Sequence, residues 1–493
     1  MERSMPRLTV IGTGYLGATH AICMAVLGYE VLGVDVDGAK VARLASGEVP
    51  FFEPGLPELL VKALESGRLR FTTSYAEAGD FGDVHFLCVG TPQRPGSYAA
   101  DLRFVDAAVT ELAHHLHRRA LVVGKSTVPI GTAARLTEMV RRLAPAGDRV
   151  ELAWNPEFLR EGYAVDDTMR PDRLVFGVAS PWAQERLRAA YAPVLAQGTP
   201  AVVTDLATAE LVKVAANAFL ATKISYINAM AEVCEGTGAD VRDLAEALAY
   251  DDRIGGRFLK PGLGFGGGCL PKDIRAFLHR AEELGVGQAV SFLREVDDIN
   301  KRRRARTVDL VREVVGGELA GVRVAALGAA FKPNSDDVRD APALDVARAL
   351  HAAGAAVRVF DPAAMENARR THPELSYGDS AMDVARGADV VVLLTEWAEF
   401  REIDPVALAA VVAHPRIVDG RHALDAAAWR AAGWEYRALG RPPTLFPKSL
   451  PGCAEPRRRP AAPGVRPHTT PVCDLAPDLP DRRLDPGSPR QTF

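Results

Sequence analysis

The sequence predicts an α/β protein in which two doubly wound domains are joined by a central all-α layer. A strand, a glycine-rich turn, a helix and a second strand follow one another in residues 7–37, and further strand–helix units continue to about residue 205. A long helical region then precedes a second strand–helix series that starts at residue 322. Such alternation is typical of parallel sheets covered on both faces. The expected domains are 5–205, 206–318 and 319–441, followed by a tail, 442–493, whose scattered prolines and arginines predict disorder.

The bulk composition excludes several classes of function. The chain has 493 residues, of which 48% are hydrophobic and 25% charged, as is ordinary for a globular protein of two or three domains. Its net charge of −4 gives no general affinity for nucleic acids or anionic membranes. No apolar run has transmembrane length, no signal peptide is evident, and the six cysteines show no framework spacing. His114, His115 and His117 have no partner at ligand spacing, so no metal site is predicted. We therefore expect a cytoplasmic protein without nucleic-acid or membrane partners.

The first strand–turn–helix unit has the pattern of a dinucleotide site. A strand that ends at Ile11 leads into Gly12-Thr13-Gly14-Tyr15-Leu16-Gly17, and a second strand ends at Asp35. Glycines at these positions allow a pyrophosphate to approach the backbone at the helix N-terminus. A carboxylate at the end of the second strand accepts hydrogen bonds from a ribose diol and repels a 2′-phosphate. The unit therefore predicts a Rossmann-like domain that binds NAD rather than NADP.

Polar residues follow the next buried strands of this series. Thr91, Ser126 and Thr127 follow two of the strands, and Glu157 and Glu161 follow a third. In an open parallel sheet, the C-terminal ends of the strands line the ligand crevice. We therefore expect these side chains to face a ligand. If the segment between the two glutamates is helical, they share one helix face.

A helical pattern from Thr208 to about Glu235 carries two polar residues among apolar ones. Lys213 and Asn217 are four residues apart and so lie on the same face of the helix. Polar groups on a buried helix face cost free energy unless they bind something. The length and the apolar faces of the helical region also predict the interface of a homodimer.

The stretch Gly264–Asp273, with the sequence GFGGGCLPKD, is where we expect the chemistry. Its glycines keep side chains away from an approaching ligand, and Pro271 suits the first turn of a helix. Cys269 therefore precedes a helix N-terminus, where the helix dipole and Lys272 favour a thiolate. The alternative is an inert cysteine in a tight turn, because most free cysteines are buried and unreactive.

The second α/β unit lacks the dinucleotide pattern. Its first strand, residues 322–328, leads into the charged loop 331–340 rather than into a glycine turn. This domain is therefore predicted to bind a nucleotide but not a dinucleotide.

Together these motifs resemble the UDP-glucose 6-dehydrogenase family, within the wider UDP-glucose/GDP-mannose dehydrogenases. The similarity covers about residues 7–441 and leaves out the tail. The motifs that carry it are Gly12–Gly17, Lys125–Pro129, Asn155–Gly162, Gly264–Asp273 and Phe331-Lys332-Pro333. Members of this family oxidise C6 of a nucleotide-bound hexose twice, from alcohol to acid, with two NAD⁺ and no metal. The resemblance implies the same reaction and the same cofactor here.

The resemblance also implies the catalytic roles. Cys269 would capture the intermediate aldehyde as a thiohemiacetal, which a second oxidation turns into a thioester, and such a covalent intermediate retains the aldehyde between two oxidations. The other catalytic positions are Lys213, Asn217, Asp273, Thr127 and Glu157. The lysine and the asparagine would stabilise oxyanions at C6. The aspartate and the threonine, with an ordered water, would handle protons, and the glutamate would assist hydrolysis of the thioester.

Binding positions are implied in the same way. For the cofactor they are Gly12, Gly14, Tyr15, Leu16, Gly17, Asp35, Lys40, Thr91, Thr127, Glu161, Lys272 and Arg339. For UDP-glucose they are Glu157, Phe158, Leu159, Arg160, Glu161, Lys213, Asn217, Phe258, Leu259, Lys260, Gly266, Phe331, Lys332 and Arg421. Arg253 resembles an arginine that family members lend across the dimer interface. His422 departs from the pattern, because many relatives carry asparagine after the preceding arginine.

Three alternatives to UDP-glucose oxidation stay open. The first keeps the chemistry and changes the sugar to GDP-mannose or UDP-N-acetylmannosamine, although the run Arg253–Lys260 looks more like the UDP-glucose branch. The second is a two-electron β-hydroxyacid dehydrogenase, which would need neither Cys269 nor a second α/β domain. The third is a sensor that binds nucleotide sugars without catalysis, and such a protein should lack some of the catalytic side chains.

Overall fold

The computed structural model describes residues 5–442, which form two sheets and a helical region between them in the sequence. The predicted fold class, α/β with two doubly wound units and a central all-α layer, is confirmed. The tail predicted at 442–493 lies outside the described residues except for Pro442. No helix among residues 5–442 is long and apolar enough to cross a membrane.

Eight strands form the first sheet: β1 Leu8–Ile11, β2 Val31–Val34, β3 Leu69–Thr72, β4 Val84–Leu87, β5 Ala120–Gly124, β6 Val150–Trp154, β7 Leu174–Gly177 and β8 Ala201–Thr204. Their order is β3-β2-β1-β4-β5-β6-β7-β8, and all neighbours are parallel except β6 and β7. The strand order changes direction between β1 and β4, which opens a crevice at their C-terminal ends. The glycine turn after β1 and Thr91 after β4 therefore border the same crevice.

Helices cover both faces of this sheet, and the central strands are accordingly apolar and buried. β1, β2, β4 and β5 are buried along their whole length, as expected of parallel strands inside a sheet. The helices are α1 Tyr15–Val26, α2 Gly38–Ala45, α3 Leu56–Glu65, α4 Tyr75–Phe81, α5 Arg103–His114, α6 Thr132–Leu143, α7 Ala164–Met169, α8 Pro181–Ala190 and α9 Ala192–Leu195.

The central layer is built on a helix of 32 residues, and its helices are α10 Leu206–Thr237, α11 Val241–Ala249, α12 Leu270–Glu283 and α13 Phe292–Val315. The side chain of Asp205 caps α10 by accepting a hydrogen bond from the Thr208 amide at 2.8 Å. Gly238 ends the helix in the left-handed region, with φ of 77°. Apolar residues of α10, α12 and α13 form one core, and Phe265 of the glycine-rich stretch is part of it.

Six parallel strands form the second sheet: β9 Arg323–Leu327, β10 Ala356–Phe360, β11 Ser376–Tyr377, β12 Val390–Leu393, β13 Arg416–Asp419 and β14 Glu435–Ala438. Their order is β11-β10-β9-β12-β13-β14, so the crevice of this sheet lies between β9 and β12. The helices are α14 Pro342–Ala352, α15 Met365–Thr371, α16 Ala381–Ala385, α17 Ala398–Arg401, α18 Pro405–Ala409 and α19 Ala426–Ala431. The charged loop 331–340 leaves this sheet from the end of β9.

Candidate active site

The glycine turn after β1 forms an open cradle at the N-terminus of α1. Gly12 has φ of 87°, and a Cβ atom added there would lie 3.0 Å from the Val89 backbone. A Cβ atom on Gly17 would lie 1.8 Å from the Gly12 carbonyl oxygen, whereas one on Gly14 would have no neighbour within 4 Å. Gly12 and Gly17 therefore permit close packing of the backbone, and Gly14 leaves space beside the backbone amides. That space fits the pyrophosphate of a dinucleotide.

Asp35 stands at the end of β2, where the sequence predicts a ribose contact. Its carboxylate accepts hydrogen bonds from the Thr13 amide at 2.8 Å and from the Lys40 ammonium at 3.0 Å. Burial raises the pKa of Asp35, but hydrogen bonds from the Asp37 amide, Lys40 and Thr13 outweigh this effect and hold the pKa below its usual value. The carboxylate is therefore negatively charged at neutral pH, as the discrimination against a 2′-phosphate requires.

Glu53 connects this cradle to the segment after β6, and nothing in the sequence pattern singled it out. Its buried carboxylate accepts hydrogen bonds from the Gly162 amide at 2.6 Å and from the Ala164 amide at 2.7 Å. The Tyr15 hydroxyl also donates to Glu53. Burial and this carboxylate raise the pKa of Tyr15, so its hydroxyl stays protonated. Tyr15 was predicted as a cofactor contact, and in the structure its hydroxyl fixes the neighbouring loop. The predicted cofactor residue Leu16 packs at the edge of the core under the first sheet.

The two threonines of the crevice lie together, whereas Ser126 does not face a ligand. The Thr91 hydroxyl donates to the Thr127 carbonyl at 2.7 Å, which joins the ends of β4 and β5. Both threonines, with Lys272 and Asp273, line a cavity of about 20 Å³. The Ser126 hydroxyl is buried and donates to the Val89 carbonyl at 2.6 Å. The prediction that Ser126 faces a ligand is therefore wrong, because its hydroxyl is used by the backbone.

Cys269 is the N-cap residue of α12, and two predicted catalytic side chains, Asp273 and Asn217, meet beside it. The Asp273 carboxylate accepts hydrogen bonds from the Asn217 amide group and from the Lys272 ammonium, each at 2.6 Å. Asp273 and Asn217 are buried, and they come from α12 and α10 respectively. Two helices of the central layer therefore place a carboxylate and an amide next to the cysteine.

The thiol of Cys269 is not the thiolate that its position in the sequence predicts. The residue is accessible to solvent but lies deep in a cleft surrounded by protein atoms. This burial, together with the carboxylates of Asp273 and Glu157, raises the pKa of the thiol to about 11, and the charges of Lys213 and Lys272 do not compensate. The expectation of a thiolate failed because burial in the cleft disfavours the charged form, because Lys272 is already paired with Asp273, and because the Glu157 carboxylate comes from a distant part of the chain.

Glu157 and Lys213 form an ion pair at the edge of the same cleft. The Lys213 ammonium lies 3.0 Å from the Glu157 carboxylate, and both side chains are largely buried. Burial lowers the pKa of Lys213, but Glu157, Cys269 and Asp273 raise it above its usual value, so the lysine is charged. The Phe158 ring lies between Lys213 and Arg173, whose guanidinium carbon is 3.8 Å from the ring centre.

The segment that carries both glutamates is a loop and not a helix. Pro156 and Gly162, with φ of 78°, interrupt it, and the Glu157 side chain accepts a hydrogen bond from the nearby Leu159 amide. The expectation of a shared helix face for Glu157 and Glu161 is therefore wrong. The two carboxylates instead point to different partners.

Glu161 contacts the loop that follows β9. Its carboxylate accepts hydrogen bonds from the Ser335 hydroxyl at 2.9 Å and from Arg339 at 3.3 Å. Burial and the neighbouring Asp337 carboxylate raise the pKa of Glu161 to about 7. Lys332, in the same loop, is largely buried, which lowers its pKa, and its ammonium lies 5.5 Å from the centre of the Phe331 ring. Residues of the first and second sheets thus meet at this point.

The glycines before Cys269 allow the second sheet to pack on the cysteine loop. A Cβ atom on Gly266 would lie 2.2 Å from the Asp340 carbonyl oxygen, and one on Gly267 would lie 2.7 Å from the Phe331 ring. The Asn300 side chain holds the preceding residue, because it accepts from the Phe265 amide at 2.7 Å and donates to the Phe265 carbonyl at 2.9 Å. The glycines are therefore needed for close approach of protein to protein as well as of ligand.

Arg421 connects the glycine-rich loop before Cys269 with loops at the edge of the second sheet. Its guanidinium donates to the Gly264 carbonyl at 3.0 Å, to the Phe331 carbonyl at 3.2 Å and to the Leu394 carbonyl at 2.8 Å. These contacts stabilise the loops around the predicted sugar site. His422 follows with φ of 54°, a left-handed conformation that asparagine adopts more readily than most residues.

Other predicted substrate residues lie apart from the cleft contacts just described. Arg160 is paired with Asp167 at 2.6 Å, and the exposed Arg253 is paired with Asp251 at 2.7 Å. Leu259 is buried in a small core with residues of α10 and α11. Phe258 and Lys260, on either side of it, are exposed.

Comparison with known proteins identifies the family. Three domain models of the UDP-glucose/GDP-mannose dehydrogenase family match in succession: the NAD binding domain at residues 6–195, the central domain at 207–302 and the UDP binding domain at 325–426. The chain belongs to this family. Membership in the UDP-glucose/GDP-mannose dehydrogenase family confirms NAD as the cofactor, and the UDP binding domain agrees with the prediction that the second sheet binds a nucleotide.

Individual relatives within the UDP-glucose/GDP-mannose dehydrogenase family cover nearly the same residues. A UDP-glucose 6-dehydrogenase of Rhizobium meliloti (strain 1021) is 42% identical over 439 residues, which are 88% of this chain and 100% of the relative. The solved structure of a UDP-glucose dehydrogenase from the hyperthermophilic archaeon Pyrobaculum islandicum has a TM-score of 0.82 at 38% identity, covering 90% of this chain and 99% of that chain. A UDP-D-ManNAc dehydrogenase from Pyrococcus horikoshii has a TM-score of 0.78 at 27% identity, covering 89% and 100%.

Proposed function

We propose that the chain oxidises UDP-glucose to UDP-glucuronate in two NAD⁺-dependent steps, with Cys269 as the covalent nucleophile. The observation that carries the proposal is the cleft around Cys269, where Asp273, Asn217 and the Glu157–Lys213 pair converge. Relatives named as UDP-glucose dehydrogenases are 42% and 38% identical, whereas the UDP-D-ManNAc dehydrogenase is 27% identical. This difference favours glucose over N-acetylmannosamine as the sugar.

The residues of the cleft suit a covalent route. NAD⁺, held by the glycine turn after β1 and Asp35, would supply the hydride acceptor for each oxidation. The Cys269 sulfur adds to the C6 aldehyde, its proton goes to a neighbouring carboxylate, and the Lys213 and Asn217 side chains stabilise the oxygen anion. Loss of a second hydride leaves a thioester, which water cleaves into the acid and the free thiol. Because the thiol is protonated at neutral pH, Asp273 and Glu157 are the groups that can accept its proton.

A panel of nucleotide sugars tests this proposal. Purified protein is mixed with NAD⁺ and, in turn, UDP-glucose, UDP-N-acetylmannosamine and GDP-mannose, and the NADH formed per sugar consumed is counted. We expect two NADH per UDP-glucose and much slower reaction with the other two sugars. One NADH per sugar, or faster oxidation of GDP-mannose, would exclude the proposed reaction.

A homodimer is the assembly that the surface of α10 favours. Leu211, Phe219, Tyr226 and Val233 are 41, 66, 48 and 54% exposed, and their spacing of seven or eight residues places them on one stripe of the helix. An exposed apolar stripe of this length suits a second copy of the chain. The exposed Arg253 is the residue that would reach the partner's site, as the family resemblance implies.

Replacement of one residue in the stripe tests the dimer. Phe219→Glu should give monomers in light scattering, because a charge in an apolar interface is costly. Phe104→Glu, on α5, changes a similarly exposed phenylalanine outside the stripe and should leave the mass unchanged. A monomeric unmodified protein would refute the assembly.

The domain boundaries and the compartment complete the proposal. The boundaries 5–205, 206–318 and 319–441 are supported by the gaps between elements, since β8 ends at Thr204, α10 begins at Leu206 and α13 ends at Val315. Because the proposed nucleophile acts only as a free thiol, we place the protein in the reducing cytoplasm.

A further inference from the structure

We propose that Lys125 is a positioning residue that holds the turn carrying Glu157 against Lys213, a role that rests on the proposed part of Glu157 in thioester hydrolysis. Lys125 follows β5 and is only 6% exposed. Its ammonium donates to the Asn155 side-chain oxygen and to the Tyr191 hydroxyl, each at 3.1 Å. Among the described residues, no carboxylate accepts a hydrogen bond from this ammonium.

Asn155 transmits this contact to the active site. The backbone N–H of Asn155 donates to the Gly124 carbonyl at 2.8 Å, and its side-chain nitrogen donates to the Val175 carbonyl at 2.9 Å. Its side-chain oxygen accepts from Lys125 and, at 2.6 Å, from the Tyr191 hydroxyl. Hydrogen bonds therefore hold both the backbone and the side chain of Asn155 in place. Pro156 follows it and restricts the backbone, and the next residue is the Glu157 that pairs with Lys213.

Stability does not account for a lysine at this place. A buried ammonium group that is bonded only to neutral groups costs free energy. Burial lowers the pKa of Lys125 to about 8, although Cys88 and Glu157 raise it, and Lys213 lowers it further. A methionine of similar length would avoid this cost, and the Asn155 oxygen would still accept from Tyr191. The contact of Lys125 with the turn that carries Glu157 therefore accounts for this buried charge better than stability does.

Lys125→Met separates this role from a structural one. We expect its melting temperature to equal or exceed that of the wild type, and kcat/KM for UDP-glucose to stay near the wild-type value, because thioester hydrolysis follows the steps that this ratio reports. Its kcat should fall about tenfold to a hundredfold, because a small displacement of a catalytic group has effects of that size. If thioester hydrolysis is the slowed step, NADH appears in a burst and intact mass shows a sugar acid bound to Cys269.

Two further variants make the experiment decisive. Tyr191→Phe keeps the charge of Lys125 but removes one hydrogen bond to Asn155, and it should show a smaller burst of the same kind. Thr9→Val breaks the buried contact with His85 in the same sheet, away from the turn, and should lower stability without a burst. If Lys125→Met fails to fold, Tyr191→Phe tests the positioning role in its place. A burst of NADH supports the role, and normal turnover without a burst overturns it.

The outcomes distinguish failure of this inference from failure of the proposed function. Wild-type turnover by Lys125→Met would overturn the positioning role. So would a loss of kcat that follows the loss of folded protein without a burst or an adduct. If the wild-type protein forms no NADH from UDP-glucose, the proposed function itself fails.

Discussion

The Asp35 carboxylate is hydrogen-bonded to the Thr13 amide and paired with Lys40, which fixes its negative charge at the end of β2. We expect a strong preference for NAD⁺ over NADP⁺. Asp35→Asn should lower the ratio of kcat/KM for NAD⁺ to kcat/KM for NADP⁺ by about tenfold or more. The reason is that like charges a few ångströms apart repel by ~1 to 4 kcal/mol, depending on the local dielectric. The measurement is the ratio of kcat/KM for the two cofactors.

A neighbouring carboxylate provides the control for this change. Asp37 is exposed and caps α2 by accepting from the Ala39 and Lys40 amides. Asp37→Asn removes a charge and keeps a capping group, because asparagine caps helices as well as aspartate does. The cofactor ratio of this variant should equal that of the wild type. Comparable efficiency of the wild type with both cofactors would contradict the role of Asp35.

The Cys269 thiol gives a prediction about pH. Because burial and the carboxylates of Asp273 and Glu157 raise its pKa to about 11, only a small fraction is thiolate at pH 8. The rate of alkylation by iodoacetamide should therefore keep rising with pH above 9. Asp273→Asn removes one of these carboxylates and lowers the pKa, so alkylation at pH 8 should be faster, by about tenfold per unit of pKa.

Two controls belong to the alkylation experiment. Asp309→Asn removes an exposed carboxylate of α13 and should leave the rate unchanged. Labelling is read by peptide mass at position 269, because Cys453 and Cys473 lie outside the described residues. Cys269→Ala should remove the label from this peptide, and Cys23, Cys88 and Cys234 should react slowly because they are buried. A plateau of the wild-type rate below pH 9 would show that the thiol is more acidic than the structure indicates.

Sequence reasoning found the site residues that stand in motifs and missed those that meet only through the fold. Asp35 ends a recognisable strand, and Cys269 follows a glycine run. By contrast, Glu53 binds the Gly162 amide across 109 positions of sequence. Asn300, on α13, binds the Phe265 amide across 35 positions. Neither has a local pattern. The predicted thiolate failed because burial in the cleft, which only the fold creates, raises the pKa of the Cys269 thiol, and the carboxylates of Asp273 and Glu157 raise it further.

At the scale of elements, the turn into α1 makes a prediction that compares two of its glycines. Gly14→Ala should leave the melting temperature unchanged and raise the KM for NAD⁺. The reason is that φ of −69° suits alanine, and the new methyl group would project into space that no protein atom fills. Gly17→Ala should destabilise the protein by ~1 to 3 kcal/mol, as overpacking does, because its Cβ would overlap the Gly12 carbonyl. Thermal unfolding and cofactor kinetics of both variants check this. Equal melting temperatures and equal KM values for NAD⁺ in the two variants would contradict this prediction.

The elements themselves were predictable where capping and periodicity agree. The helical pattern from Thr208 to Glu235 corresponds to α10, Leu206–Thr237, which lies between the Asp205 cap and Gly238. The loop after β6 could not be predicted from spacing. A separation of four residues suggested a helix face, but Pro156 and the hydrogen bond from Leu159 to Glu157 favour an irregular path.

At the scale of the whole molecule, the candidate site draws residues from all three regions of the chain. Glu161 of the first region contacts Ser335 and Arg339 of the third, and the Gly267 amide of the central region donates to the Arg339 carbonyl at 2.9 Å. The order of the regions could be predicted from the alternation of strand and helix patterns. Their contacts could not, because they depend on small residues such as Gly266 that permit close packing without specifying a partner.

The central claim is that Cys269 forms a covalent bond to the substrate during a four-electron oxidation. Cys269→Ser tests it most directly, because serine keeps the size of the side chain but is a poorer nucleophile and a poorer leaving group. UDP-glucose affinity, measured by calorimetry, should survive, since Cys269 is not among the predicted binding contacts, which include Phe331 and Lys332. Asp298→Asn, an exposed change on α13, serves as the control for handling and purity.

The decisive measurement is made on Cys269→Ser incubated with UDP-glucose and NAD⁺, by intact mass for an adduct and by chromatography for free UDP-glucuronate. We expect normal binding, at most a slowly decaying adduct, and no multiple turnover to the acid. Multiple turnover to UDP-glucuronate at the wild-type rate would contradict this expectation, because the acid would then form without the Cys269 thioester.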